Sequence, residues 1–297
     1  MYHNRQIPYC LPIHPKALVT KQASQSNSQN QSIQNHIAKP YMTMEEIDQK
    51  LLQDDRIKYY NTIEIWLDYL EGNLHQAINS ICSHTNIITK DIIFTLRRLN
   101  LSEPTKSLEQ RLDIINSIAS VNSIASIASN LSDTDNIELP TRKIFIDLDI
   151  STQMEELSHL KNDFKRTSLI KQSEQSNYVN LITSFHNFQS TGTTDELLSL
   201  IEDMTTFDPC IFKIATYCNS PLDAIRLLEL GEVIRARGKK SIILGMGPNG
   251  LATRIFGTLW GNELCYAPLE NAEASAPGQI SLEEFEKIFM IIKNQHT

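Results

Sequence analysis

The sequence predicts an α/β protein, a single-domain (β/α)8 TIM barrel. Eight short apolar runs of β type alternate with eight helix-type stretches from end to end. Several of those runs are apolar at consecutive positions, as parallel strands covered on both faces require. The rival is a doubly wound sheet, which rarely needs eight regular β–α units with no second domain.

The first strand is expected at Ile7–Ile13. A Gln/Asn/Ser-rich insertion follows at 21–40 (KQASQSNSQNQSIQNH in its first part), and its composition predicts disorder. The helix Met44–Leu52 leads to strand Thr62–Leu67, and Leu74–Cys82 to Ile92–Arg97. Ser107–Ser129 is a helix-type stretch, and its part Ser117–Ser129 repeats Ile-Ala-Ser and reads as a helix with a narrow apolar stripe. Strand Lys143–Ile150 and helix Met154–Leu169 form the fourth unit, Val179–Phe185 and Thr194–Met204 the fifth. Cys210–Thr216 with Leu222–Arg237, then Ser241–Gly245 with Leu251–Leu259, make the sixth and seventh. The last strand is Leu264–Ala267 and the last helix Leu282–Ile292. Thr194-Asp195-Glu196 and Ser281-Leu282-Glu283-Glu284 carry the hydroxyl-then-acid pattern of helix starts.

Hydrophobic residues make up 41% and charged residues 21%, enough for a sizeable core. A formal charge of −8 argues against nucleic acid or an anionic membrane as a partner, so a small anion needs a local arginine cluster. No apolar run reaches the length of a membrane span, and the N-terminus lacks a signal pattern. The scattered cysteines Cys10, Cys82, Cys210, Cys218 and Cys265 read as reduced thiols of a cytoplasmic protein, and no metal site is expected.

Lys213 lies inside the apolar run Ile211-Phe212-Lys213-Ile214-Ala215, and His186 ends the strand before it. Desolvation lowers a lysine toward the range where its amine is a nucleophile, and an imidazole moves protons. The pair therefore suggests carbonyl chemistry through an imine. The plainer alternative is a lysine snorkelling from an edge strand beside an ordinary turn histidine. Gly245-Met246-Gly247-Pro248-Asn249-Gly250 matches the dinucleotide fingerprint literally, with Glu270 downstream. It follows the seventh strand with too little chain left for a nucleotide-binding fold, so it reads as a tight turn bringing Arg254 toward the site. The small, polar stretch Glu270–Gln279 is a candidate lid.

Taken in order, these segments resemble the type I 3-dehydroquinate dehydratases. Glu64-Ile65-Trp66-Leu67-Asp68 is similar to the family's E-x-R-x-D, Phe94-Thr95-Leu96-Arg97 to F-T-x-R, and Phe145-Ile146-Asp147-Leu148-Asp149 to I-D-x-E/D. Ser184-Phe185-His186-Asn187-Phe188, Phe212-Lys213-Ile214-Ala215, the Met246–Gly257 segment and Ala274-Ser275-Ala276-Pro277-Gly278-Gln279 complete the series. The resemblance implies a lyase that converts 3-dehydroquinate to 3-dehydroshikimate in aromatic amino acid biosynthesis, with no cofactor. It implies Lys213 as the Schiff-base amine and His186 as general acid/base. Glu64, Arg97, Arg254, Ser275 and Gln279 would bind substrate. The partner is then a small molecule, and a homodimer is left open. Three departures stand out: Trp66 replaces the family arginine, the E-G-G after Arg97 is missing, and Asn187 replaces an aspartate. They motivate the alternative of an impaired or silent homologue that binds a related acid or a protein partner.

Overall fold

The computed structural model describes residues 7–13, 42–96, 106–130, 142–169 and 180–294. Within them strands and helices alternate as β1 (Tyr9–Ile13), α1 (Met44–Gln53), β2 (Thr62–Trp66), α2 (Leu74–Ser83), β3 (Asp91–Thr95) and α3 (Leu108–Asn130). Next come β4 (Ile144–Asp149), α4 (Met154–Leu169), β5 (Asn180–Asn187), α5 (Thr194–Thr205), β6 (Ile211–Tyr217) and α6 (Pro221–Ala236). The series ends with β7 (Lys240–Met246), α7 (Leu251–Trp260), β8 (Cys265–Tyr266) and α8 (Leu282–Asn294). Every predicted unit is present, with ends moved by a residue or two. The insertion at 21–40 and Arg97 lie outside the described residues.

All eight strands run parallel in the order β7-β6-β5-β4-β3-β2-β1-β8. This is the (β/α)8 architecture predicted, in which the eight strands curl round with the helices outside. Among the described residues no strand ladder joins β7 to β8. The two-residue β8 is held to β1, with Cys265 N donating to the Pro8 carbonyl and Ala267 N to the Cys10 carbonyl. The Asn262 carboxamide patches the seam, accepting from Ile243 N at 2.9 Å and donating to Ile243 O at 3.1 Å. One backbone bond, Glu263 N to Ser241 O, crosses beside it.

Side chains alternate along each strand, and the alternation separates two layers. Ile63, Ile65, Phe94, Ile146, Leu148, Phe212, Ile214 and Ile243 face outward and pack with helix residues such as Ile47, Ile78, Ile118 and Leu227. Cys10, Ile93, Phe145, Ile182, Ile211, Ile242 and Leu264 fill the interior. Helix α3 buries Ile114, Ile115, Ile118 and Val121 along its first half. Helix α5 starts at Thr194 as predicted, but the capping hydroxyl is that of the preceding threonine. Thr193 caps it, with Glu196 closing a capping box, an arrangement worth about 1 kcal/mol. At the start of α8, Ser281 and Glu284 exchange the same bonds, as expected. No helix among the described residues is long and apolar enough to cross a membrane.

Candidate active site

The inward positions at the carboxyl ends of the strands carry polar groups in place of the aliphatic filling below them. Lys213 is one of these. Its neighbours Phe212 and Ile214 belong to the outer core, so the period of two turns its side chain inward, where it is 3% exposed. Nζ donates to Glu64 Oε1 at 2.9 Å and to Asp147 Oδ2 at 2.6 Å, and it lies 4.7 Å from the centre of the Tyr266 ring. This corrects the picture of an amine desolvated among apolar side chains. Two carboxylates offset the burial, so the form they compensate is the ammonium, and a nucleophilic amine requires a proton to leave first.

Glu64 collects further donors. Thr95 Oγ1 and Tyr266 OH reach Oε1 at 3.0 and 3.2 Å, and the Trp66 indole N–H reaches Oε2 at 3.0 Å. Trp66 does point into the mouth of the barrel, and its polar edge is spent on Glu64.

His186 ends the inward row of β5 and bonds through Nδ1 to Asp149 Oδ2 at 2.8 Å, with the Phe188 ring stacked 6.4 Å away. Burial pushes Asp149 up, but the hydrogen bond and charge of His186 and the bonds from Ser151 outweigh it, holding the carboxyl below its usual value. Asn187 supports no imidazole: its Oδ1 accepts from Gln189 N and Ser190 N and caps the turn after β5. Neither Asp147 nor Asp149 is among the site residues that the resemblance implies, yet both lie in the Phe145–Asp149 segment, two residues apart, a spacing that places them on the same inward face.

Arg254, in the first turns of α7, is 2% exposed. Its Nε and Nη1 have no hydrogen-bond partner among the described residues, while Nη2 lies 3.5 Å from the Pro277 carbonyl. Burial pulls the guanidinium down to about 10, which leaves it charged at neutral pH. A buried planar cation with open donors is a receptor for a carboxylate.

The Gly245–Gly250 turn aims this arginine. A side chain on Gly250 would come within 2.3 Å of the Gly245 carbonyl carbon, so the backbones pass too closely for any other residue. The loop 274–279 seats on the same turn, with Gly247 N donating to Pro277 O at 3.2 Å. Ser275 and Gln279 are tied together, Ser275 N to Gln279 Oε1 at 2.6 Å and Gln279 Nε2 to Ser275 Oγ at 2.9 Å. The base of the loop is held by Arg56–Glu270 and Lys50–Glu273 ion pairs.

One cleft is lined by Lys213, His186, Arg254, Glu64, Ser275 and Gln279 among others. It therefore unites every site residue predicted from the sequence except Arg97, which lies outside the described residues. Among the described residues no cluster of three or more His, Cys, Asp or Glu is placed to hold a metal ion.

A reactive-looking pocket at the carboxyl ends of eight parallel strands defines a (β/α)8 enzyme. The family model of type I 3-dehydroquinase matches residues 41–296. The chain is 30% identical to a 3-dehydroquinate dehydratase of Methanococcus maripaludis over 167 residues, 54% of this chain and 69% of that one. It is 28% identical to that of Alkaliphilus oremlandii over 214 residues, 71% and 72% of the two chains. The structure of the Geobacillus kaustophilus 3-dehydroquinate dehydratase superposes with a TM-score of 0.63 at 18% identity, covering 97% of this chain and 91% of that one. The chain belongs to the type I 3-dehydroquinase family.

Proposed function

We propose that the protein dehydrates 3-dehydroquinate to 3-dehydroshikimate through an imine on Lys213. The observation that carries the reading is the gathering of Lys213, the His186–Asp149 pair and the open Arg254 guanidinium around one cleft. Arg254 receives the substrate carboxylate and fixes the ring, which brings the ketone to Nζ. The iminium that forms is a cation, so it inherits the two carboxylates that held the ammonium. It withdraws electrons from the adjacent carbon far better than a neutral ketone does, and the proton there becomes removable. His186 takes it and returns it to the departing hydroxyl. With Nδ1 engaged by Asp149, the proton is exchanged at Nε2. Ser275 and Gln279 face the substrate from the loop, and Glu64 meets it through the edge of its donor network.

The product is a conjugated enone, so purified protein given 3-dehydroquinate should generate the ultraviolet absorbance of that chromophore at a rate proportional to enzyme. Ligand binding by calorimetry with no such absorbance at high protein concentration would favour the silent-homologue reading that Trp66 raises.

Asp149→Asn should lower kcat about a hundredfold, the low end of what an oriented acid/base supplies, while KM changes little. The same carboxylate carries a pH signature in stability. Its folded value lies below the unfolded one near 3.9, so its contribution is complete above about pH 4 and drains as pH falls through the folded value. Urea midpoints measured from pH 6 to 3 should drop more for the wild type than for Asp149→Asn.

A further inference from the structure

Imine formation on Lys213 leaves one transfer without an owner: the proton that the ammonium must shed before its nitrogen attacks. The His186 imidazole is tied to Asp149 and has its own task at the neighbouring carbon. We infer that Asp147 takes this proton and returns it as water is lost, making it the acid/base group of imine formation. The inference rests on the imine reading above.

Distance is the first support, since Asp147 Oδ2 lies 2.6 Å from Nζ with nothing between them. The second is the contrast with the other carboxylate on Nζ. Protonating Glu64 would displace one of the donors from Thr95, Tyr266, Trp66 and Lys213. Asp147 has room instead: its Oδ1 is buried and has no partner among the described residues, so an added proton displaces no donor there. Placement is the third. Asp147 and Asp149 alternate on β4, and each meets one reacting group, Lys213 for the first and His186 for the second.

The step balances. The ammonium gives a proton to Asp147, and the free amine bonds to the ketone carbon as the carbonyl π pair moves to oxygen. Asp147 protonates that oxygen, takes a proton from the new C–N centre, and delivers it to the hydroxyl that leaves as water. The iminium keeps the positive charge, and Asp147 ends as the carboxylate it began as. The charged and titratable side chains of the same interior are Lys213 from β6, Glu64 from β2, His186 from β5, Asp149 from β4, Tyr266 from β8, Cys10 from β1 and Arg254 from α7. Among the described residues, the hydrogen bond to the Asp147 side chain comes from Lys213.

The test is the rate at which borohydride traps substrate on the full chain, read by intact mass over a pH series with 3-dehydroquinate. Asp147→Asn should trap about a hundredfold more slowly near neutrality, and the gap should narrow as rising pH lets hydroxide remove the proton. Asp147→Ala, which leaves a gap, should be accelerated by added formate, an effect that a purely structural role would not produce. Trapping by Asp147→Asn at the wild-type rate across the series, or an Ala variant that is slow and indifferent to formate, would overturn the inference. A wild-type protein that forms no adduct at all contradicts the imine itself, so the two failures are distinguishable.

Discussion

Lys213→Ala is expected to eliminate both turnover of 3-dehydroquinate and the borohydride adduct, and to weaken the fold at the same time. The catalytic loss follows from chemistry, because no other described amine lines the cleft and an imine has no substitute nitrogen there. The structural loss follows from charge. Removing the ammonium leaves Glu64 and Asp147, each 1% exposed, facing a gap without their shared cation. Breaking a buried ion pair from one side costs about 3–5 kcal/mol, so the urea midpoint should fall clearly. Enone absorbance checks the first effect and equilibrium unfolding the second. Wild-type stability in a dead variant would mean that the carboxylates do not depend on the lysine.

Arg254→Met should move affinity and stability in opposite directions. The guanidinium is buried with two nitrogens unpartnered among the described residues, so those residues leave its charge without an internal counter-ion. Replacing such a group with an apolar side chain of similar length should stabilise the protein by about 1–4 kcal/mol. The same change removes the receptor for the substrate carboxylate. Truncating one partner of a buried, hydrogen-bonded charge pair costs about 2–5 kcal/mol, or roughly thirty- to several-thousandfold in KM. Arg254→Lys should recover little of this, since a point charge cannot repeat the planar two-point grip. Thermal melting and steady-state kinetics on the same preparations decide it. A Met variant that melts lower and keeps its KM would show that this arginine serves the fold.

Much of the site could be read from the chain because strand periodicity is local. Lys213, His186 and Arg254 were legible from an odd residue in an apolar run, a strand-end histidine and a tight glycine turn, and all three line one cleft. The partners were harder to see. Asp147 reaches Lys213 from two strands away, with β5 between them, and the curl of the sheet that makes this contact is set by all eight strands together. The same limit hid Tyr266, whose ring and hydroxyl address Lys213 and Glu64 from β8. Asn187 shows a related limit. A side chain beside the histidine in sequence points to the turn, while the carboxylate that holds the imidazole comes from the neighbouring strand. The open seam between β7 and β8 lies beside a strand only two residues long, and the chain alone does not reveal how Asn262 covers it.

Peptide mapping of protein reduced by borohydride in the presence of 3-dehydroquinate addresses the mechanism without intermediaries. A mass increase equal to the reduced substrate adduct, located on Lys213 and absent from Lys213→Ala, is the predicted result. An adduct on another residue, or turnover with the mass of Lys213 unchanged, would contradict it.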